Sequence, residues 1–509
     1  MVSTQNIRRS TPITMLLLTL LVTILLIANT RILFAQELGE MWGTAEEESK
    51  YYKLVEVPIP GEIPLRTGSF DIHPDGRLIV GTRKGDVYFV DGAFDELPEP
   101  KYHLYASGQD EIFGIAHKDG SVYITQFGEV TKLSDTDNDG VADRFDTLTN
   151  NWGYAEGHEF AFGSKPDPEG NIWVALGLTA SYHSRQVFRG WAVKVTPKGE
   201  MIPVCSGLRS PGGVGPNAEG VMFCVESQGP WNGACSLKHL KQGGFLGHPA
   251  SYNWYPYAKG MVAPSVAPES NSRIVIEKKR VKELVPPAVI FPYIKMGRSI
   301  SGFRLNRTKG KFGPFDDQIF VGDYTLSVIL RATTEKVNGV WQGACYPFRE
   351  GLSTGIMHVE FSPQGQLIAG GFTTNAQWPV RGEKKYALDR LDWTGLVPFE
   401  MKEIKIKKDG FQIEFTKPVD ATVAALAETY GITTYTHIYA GFYGSPEVDH
   451  TTPKVSKVEV AEDAMTVRVY LDKIEEGHIH DFDLANMKSK DGGKLLHKKA
   501  YYTVNEIPK

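Results

Sequence analysis

The sequence predicts an all-β protein, made of a six-bladed β-propeller followed by a small C-terminal β-sandwich of the immunoglobulin or fibronectin type. A short phrase recurs six times between residues 65 and 372: an apolar residue, a polar turn, then β-branched and aromatic residues. One such unit cannot bury both faces of its sheet, so repeats of this length stack around an axis. Alternating apolar and polar residues after Pro398 predict further strands. Glycine, at 52 of 509 residues, is abundant enough for many tight turns.

The repeat period predicts the number of blades. The polar turns of the six copies end at Gly76, Gly120, Gly170, Gly220, Asp317 and Gly365. They follow one another about every 45 to 50 residues, a blade-like period, with one double step after the fourth copy. We therefore predict a propeller over residues 61–397, with an irregular insertion at 249–287 in the double step. About four strands per copy are typical of a propeller blade.

The remaining segments differ in composition. Residues 36–60 form an acidic lead-in. Residues 398–509 contain four segments that alternate between apolar and polar residues, the pattern of half-buried strands. These segments are 403–407, 411–415, 455–460 and 466–471. The alternation predicts two antiparallel sheets packed face to face as a sandwich.

The N-terminus predicts export. Arg8 and Arg9 precede an apolar run over residues 13–28, and a small residue, Ala35, follows. This order is typical of a secretory signal within residues 1–35. The alternative is a retained membrane anchor, although the run is shorter than the usual span of about 20 residues. We expect a periplasmic or extracellular protein that residues 13–28 tether to the membrane if they are not removed.

The net charge and the cysteine content limit the possible partners and cofactors. The net charge is −5, so no basic surface is indicated and nucleic acid is excluded as a partner. The four cysteines are an even number, which permits disulfides in an exported protein. No CxxC or CxxCH motif is present, so a covalently bound c-type haem is not indicated.

An acidic loop is the sharpest local motif. Its carboxylates stand at positions one, three, five, nine and twelve: Asp135, Asp137, Asp139, Asp143 and Asp146. Gly140 at position six permits a sharp bend, and the carbonyl of Val141 at position seven is a ligand in loops of this pattern. We predict that these residues bind a structural calcium ion between two strands. The alternative is an ordinary acidic turn.

His158 is the candidate catalytic residue. It opens a repeat, where the loops of a propeller meet the central axis. The unperturbed pKa of histidine, about 6.5, suits a general base. The alternative is a histidine that packs the axis. Its neighbour Glu159 is expected to face the other side of the strand.

Three segments carry a family resemblance: Gly207–Gly213, Glu226–Gly233 and Lys241–Pro249. In residues and spacing they resemble the successive signatures of the soluble quinoprotein glucose/sorbosone (aldose) dehydrogenases, over roughly residues 65–395. The resemblance implies a six-bladed propeller, oxidation of aldoses, and pyrroloquinoline quinone (PQQ) with calcium on the axis. It also implies that Arg209 contacts the quinone and that the carbonyls of Gly229 and Pro230 hold the calcium.

Other phrases resemble a narrower group, the large secreted propeller proteins of planctomycete-type bacteria that are labelled membrane-bound dehydrogenases. These phrases are His158–Gly163, Gln228–Gly233 and Leu496–Thr503. The chain departs from the aldose dehydrogenases at two places. Uncharged residues, Ala234 to Ser236, stand where that family has acidic ones, and Ala155 takes the place of its catalytic histidine.

Three further charged residues are candidates for the axis: Arg298, Asp323 and Arg381. Arg381 has the planar fork that holds an anionic group bidentately. Each of the three alone fits a structural role better than a functional one, because charged residues favour solvated loops. Together with His158 and Arg209 they would form a partly cationic funnel suited to a quinone or a sugar acid.

The sequence leaves three functions open. The leading hypothesis is an exported sugar dehydrogenase that oxidises a sugar or a sugar-derived alcohol with a quinone-type cofactor and an unidentified electron acceptor. The second is a propeller that binds carbohydrate or a partner without catalysis. The third is a calcium-dependent hydrolase or lyase. Propellers host all three functions, so the fold alone does not decide among them.

Overall fold

The computed structural model describes residues 41–155, 158–374 and 379–509. The apolar segment at residues 13–28, which bears on export and tethering, lies outside the described residues. No helix within the described ranges is long and apolar enough to cross a membrane. Residues Thr44–Lys509 form one compact unit that consists mainly of strands.

The first elements are α1 (Ala45–Ser49) and β1 (Tyr52–Glu56). Blade 1 then contains β2 (Thr67–Ile72), β3 (Leu78–Thr82), β4 (Val87–Asp91) and β5 (Lys101–Ala106). Blade 2 contains β6 (Gly114–Lys118), β7 (Ser121–Thr125), β8 (Val130–Ser134) and β9 (Arg144–Thr149). Blade 3 contains β10 (Ala161–Pro166), β11 (Ile172–Leu176), β12 (Trp191–Val195) and β13 (Met201–Ser206).

Blade 4 contains β14 (Pro211–Pro216), β15 (Met222–Glu226), β16 (Cys235–His239) and β17 (Val289–Phe291). The insertion before its last strand holds a 3₁₀ helix (Pro249–Tyr257) and α2 (Ile274–Arg280). Blade 5 contains β18 (Ile300–Leu305), β19 (Ile319–Asp323), β20 (Val328–Val337) and β21 (Val340–Arg349). Blade 6 contains β22 (Ile356–Phe361), β23 (Leu367–Phe372) and β24 (Tyr386–Trp393).

The six blades close into a ring. Their innermost strands pack side by side in chain order, and β22 of blade 6 packs against β2 of blade 1. The outer strand of blade 6 is β1, which pairs antiparallel with β24. The predicted six-bladed propeller is confirmed. Its predicted start at residue 61 is too late, because β1 comes from the segment taken as a lead-in and completes the last blade.

The six sequence repeats are the six inner hairpins. Each predicted turn joins the first and second strand of one blade. Five of the turn residues are glycines with positive φ, such as +97° at Gly76 and +96° at Gly365. The sixth, Asp317, has φ +62°. Glycine adopts this left-handed conformation freely, and aspartate is among the few other residues that tolerate it.

Two neighbouring inner strands approach each other closely beside the central channel. Gly114 of β6 and Gly163 of β10 pair in parallel, and a Cβ on Gly114 would lie 2.4 Å from the carbonyl carbon of Gly163. Only glycine permits so close an approach of two backbones. Farther along the inner strands the channel is polar, because Arg304 Nε donates to the carboxylate of Glu360 and both side chains are buried.

The C-terminal part begins with β25 (Met401–Lys407), β26 (Gly410–Phe415), α3 (Ala421–Ala424) and a 3₁₀ helix (Ala427–Thr429). It continues with β27 (Gly431–His437), β28 (Glu447–Thr451), β29 (Val455–Val460), β30 (Thr466–Leu471), β31 (Ile479–Asp483) and β32 (Lys499–Thr503). One sheet has the order β25-β26-β30-β29. The other has the order β32-β31-β27-β28 and extends blade 5, since β32 pairs with β21.

The two C-terminal sheets enclose a common apolar core. Phe411 and Val469 of the first sheet pack with Phe482 and Tyr502 of the second, and Tyr346 of blade 5 joins the same cluster. The predicted β-sandwich is therefore confirmed. Because the second sheet is continuous with blade 5, it crosses the boundary predicted after residue 397.

All four cysteines are buried free thiols, so none of the disulfides that export permits is formed among them. Burial raises the pKa of Cys235 to about 12. A thiol with so high a pKa is neither nucleophilic nor a good metal ligand at neutral pH.

Candidate functional site

A cavity of about 340 Å³ lies at the end of the central channel where the innermost strands begin. All six blades contribute to its wall, for example through Arg83, Phe113, Phe160, Arg209, Ser299 and Met357. Tyr443 of the C-terminal sandwich also lines it. The volume and the mainly apolar wall with a few charged groups are typical of a small-molecule site.

His158 opens onto this cavity from the start of blade 3. Partial burial, together with the charges of Arg209 and Arg83, lowers the pKa of His158. The imidazole is therefore neutral at pH 7 and can accept a proton. Glu159 faces away, as expected: it is fully buried and accepts hydrogen bonds from the Ala155 amide (2.6 Å) and from the Thr179 hydroxyl.

Arg209 is a fixed cation in the cavity wall, only 5% exposed. Its Nη1 donates to the carbonyls of Ser227 (3.3 Å) and Gln228. Its guanidinium carbon lies 5.0 Å from the ring centroid of Tyr443, which is a cation–π contact. Its Nη2 has no hydrogen-bond partner among the described residues.

The three segments that carry the family resemblance meet behind Arg209. The carboxylate of Glu226 accepts hydrogen bonds from the amides of Arg209 and Ser210 and forms a buried ion pair with Lys238. Lys238 Nζ also donates to the carbonyl of Leu246, in the third segment, at 2.9 Å. Because Lys238 neutralises Glu226, this carboxylate leaves the charge of Arg209 uncompensated.

The loop at Gly229 and Pro230 is packed against other parts of the protein. A Cβ on Gly229 would lie 2.1 Å from Arg209 Nε, so only glycine fits there. The Gly229 carbonyl accepts from the amides of Asn232 (3.1 Å) and Gly444 (3.4 Å). Gly444 belongs to the C-terminal sandwich.

These contacts decide whether calcium fits beside Gly229. The carbonyl has two lone pairs, and the two amides take them both. None of the described residues that line the cavity is Asp or Glu, whereas calcium needs six to eight oxygen ligands. Calcium at Gly229 and buried Pro230, and PQQ held through that ion, do not fit this arrangement.

The other three predicted axial residues are not brought to the cavity wall. Asp323 is fully buried and accepts hydrogen bonds from the amides of Arg298 (2.7 Å), Ser299 (2.9 Å) and Leu326 (2.7 Å). Burial raises its pKa. Asp323 thus fixes the loop that presents Ser299 to the cavity, and its carboxylate is engaged by the turn amides.

Both arginines lie off the wall as well. Arg298 lies over the ring of Tyr293, 5.8 Å from its centroid. The Arg381 amide donates to the carbonyl of Thr325 (2.9 Å).

Sequence reasoning missed Arg83 and the aromatic wall. Arg83 forms a bidentate ion pair with Glu111 (2.6 and 2.7 Å) and lies over Phe372, 4.9 Å from its ring centroid. Arg83, Ser227 and Tyr324 each directly follow the second strand of their blade, and all three line the cavity. Alignment of the repeats on their turns would have placed these residues together. Tyr443 has no such signal, because it lies outside the repeats.

The acidic loop connects β8 to β9, as predicted. The carboxylates of Asp135, Asp137 and Asp139 lie within 4.8 Å of one another. The negative charge of Asp139 raises the pKa of Asp137, as expected for carboxylates that share a site.

The two other predicted carboxylates are engaged elsewhere. Asp143 accepts from the Thr136 hydroxyl (2.5 Å), and Asp146 pairs with Arg144 (2.9 Å). Val141 is about half-exposed. The structure thus brings three of the five predicted carboxylates together, and calcium binding by this loop stays a prediction.

Comparison with known proteins adds a family match and similar folds. Residues 91–293 match a family described as a domain of unknown function (DUF7133). No curated protein matches the chain. One similar solved structure is the PQQ-bound aldose sugar dehydrogenase from Streptomyces coelicolor, with 16% identity and a TM-score of 0.45; the alignment covers 67% of this chain and 98% of that one.

Two further solved structures are similar. The PQQ domain of pyranose dehydrogenase from Coprinopsis cinerea has 12% identity and a TM-score of 0.43, with 67% of this chain and 97% of that one covered. A calcium structure of a carbohydrate-active enzyme of family AA12 from Trichoderma reesei has 13% identity and a TM-score of 0.46, with 67% and 96% covered. At these values the similarity concerns the propeller fold alone.

Proposed function

We propose that this protein is an exported oxidoreductase that oxidises a sugar or a sugar-derived alcohol in the axial cavity. One observation carries the proposal: the three segments that resemble aldose dehydrogenases meet behind Arg209, in the wall of the same cavity onto which neutral His158 opens. Export to the periplasm or the cell exterior is proposed from the basic and apolar N-terminus alone.

The residues of the cavity account for binding and proton removal. His158 accepts the proton of the substrate hydroxyl, and its lowered pKa keeps it in the accepting form at neutral pH. The hydrogen on the adjacent carbon leaves with its electron pair to a two-electron acceptor. Since PQQ held through calcium does not fit beside Gly229, the acceptor in this proposal is a second substrate, and the assay below identifies it.

Dye reduction tests the proposal. Purified protein is given a panel of aldoses and alditols with an artificial electron acceptor, with and without added PQQ and calcium. We expect turnover that His158→Ala abolishes with little change in melting temperature, because this side chain is exposed. His183→Ala is the matched control, since His183 is an exposed histidine of the same blade outside the cavity lining.

Two results would contradict this role of His158. Equal turnover by His158→Ala and wild type would exclude it as the base. A fall of many degrees in the melting temperature of His158→Ala would identify it as a structural residue.

A second candidate function is carbohydrate binding without redox chemistry. It is favoured by the Gly229 carbonyl, which already accepts hydrogen bonds from the amides of Asn232 and Gly444 and therefore has no lone pair left for the calcium of a quinoprotein. Binding of sugars by calorimetry with no dye reduction by any acceptor would establish it. Hydrolysis or elimination with an axial calcium is not favoured, because the described lining residues include no carboxylate.

A further inference from the structure

A loop of the C-terminal sandwich forms part of the cavity. This capping loop, residues 438–446, connects β27 to β28. It is anchored on blade 4 where the Trp231 amide donates to the Ala440 carbonyl (2.7 Å) and where Gly444 donates to Gly229. Within the loop, the Ile438 amide donates to the Ser445 hydroxyl (2.7 Å). The loop is therefore held in place and presents its tip to the cavity.

The tip of the capping loop carries two exposed aromatic residues. Tyr443 is 56% exposed and lines the cavity, whereas its neighbour Phe442 is 45% exposed and lies outside the lining. The Tyr443 ring covers one face of the Arg209 guanidinium. Large exposed aromatic side chains at the rim of a concave site are available to a ligand, since they need not be freed from core packing.

The charge of the wall is positive and unbalanced. Of the two arginines among the described lining residues, Arg83 is neutralised by Glu111. The Arg209 side chain has only carbonyl and aromatic partners among the described residues, because the Glu226 carboxylate is paired with Lys238. A buried guanidinium whose Nη2 has no partner among the described residues favours an anionic ligand, such as a carboxylate that accepts one charge-assisted hydrogen bond.

We propose that the cavity takes a sugar whose ring carries a carboxylate, a uronic acid, and that Tyr443 is a specificity-determining residue of this site. The carboxylate pairs with the Nη2 edge of Arg209, and the sugar ring packs against Tyr443. This inference rests on the proposed function and narrows its substrate class. It also assigns the capping loop a role: the C-terminal sandwich completes a site that the propeller alone leaves open on one side.

Isothermal titration calorimetry with D-glucuronate and D-glucose tests the inference, since the two sugars differ only in the carboxylate. We expect wild type to bind glucuronate about tenfold or more tightly than glucose, the effect of one charge-assisted hydrogen bond. Arg209→Gln should remove this preference. Because Arg209 is buried, the series also includes Tyr443→Ala, which alters only an exposed side chain.

The aromatic residue has its own matched set of variants. Tyr443→Ala should weaken glucuronate binding by about threefold to thirtyfold, the loss of one aromatic and cation–π contact. Tyr443→Phe should retain wild-type affinity, and Phe442→Ala should have no effect. Unchanged affinity in Tyr443→Ala would overturn the role of the capping loop.

The remaining outcomes separate this inference from the proposed function. Equal affinity for both sugars would overturn the acidic substrate class, and His158-dependent dye reduction with neutral aldoses would still uphold the proposed function. Displacement of glucuronate by PQQ without calcium would assign the cationic wall to a cofactor and overturn the substrate claim. Binding of neither sugar would overturn the inference outright, and the dye assay on the neutral panel would decide the proposed function separately.

Discussion

A buried cluster of His497 and two carboxylates should make the stability of this protein depend on pH, which tests the structure directly. His497 lies between two carboxylates: its Nδ1 is 2.6 Å from Glu400 and its Nε2 is 2.8 Å from Glu48 of α1. Arg349 of blade 5 also reaches Glu48, at 3.1 Å. The cluster therefore links the N-terminal helix, the propeller and the sandwich.

The size of the effect follows from the pKa of His497. Burial alone would lower this pKa, but the charges of Glu400 and Glu48 outweigh burial and raise it from 6.5 to about 9. At about 1.4 kcal/mol per pKa unit, the shift contributes about 3 kcal/mol to the free energy of unfolding. Because the folded pKa is the higher one, this stability is complete below pH 6.5 and is lost as the pH rises through about 9.

The perturbation is the double variant Glu48→Gln with Glu400→Gln. It leaves burial as the main influence, so the pKa of His497 falls below 6.5 and the sign reverses: stability now rises as the pH approaches about 6.5 and is level above it. Urea unfolding, followed by tryptophan fluorescence at about pH 5.5, 6.5, 7.5 and 9, measures how the free energy of unfolding depends on pH in wild type and in the double variant. The same change in stability between pH 6.5 and 9 in both proteins would refute the reasoning.

Three further outcomes are expected. Chelation by EGTA should lower the melting temperature by a few degrees, since an ion bound only by the folded acidic loop stabilises the protein by mass action. Asp135→Asn should abolish this shift. Identical melting temperatures with and without EGTA would argue against calcium in the loop. Gly229→Ala should cost about 1–3 kcal/mol in urea unfolding, because its Cβ would lie 2.1 Å from Arg209 Nε. Gly220→Ala should cost only about 1 kcal/mol, because φ is +79° but no atom lies within 4 Å; a loss as large as that of Gly229→Ala would show that this turn is packed.

Much of the fold could be predicted because its signals are local and periodic. The turn at Gly76 needs a left-handed residue, and the strands on either side need alternating apolar residues, so each inner hairpin is encoded within about a dozen residues. Repetition of that signal then predicts the ring. The outer strand of blade 6 could not be predicted in this way, because β1 is separated from its partner β24 by the whole propeller.

The residues of the candidate site could likewise be predicted only in part. By itself the sequence predicted that His158 would approach the axis, from its place at the start of a repeat, and that Arg209 would do so, from the family resemblance. Only the tertiary structure decided what surrounds them: Arg83 paired with Glu111, Asp323 holding turn amides, and Tyr443 on the face of Arg209. The physical reason is that a charge, or the lone pair of a carbonyl such as Gly229, is neutralised by whatever group folds against it, and that group comes from a distant part of the chain.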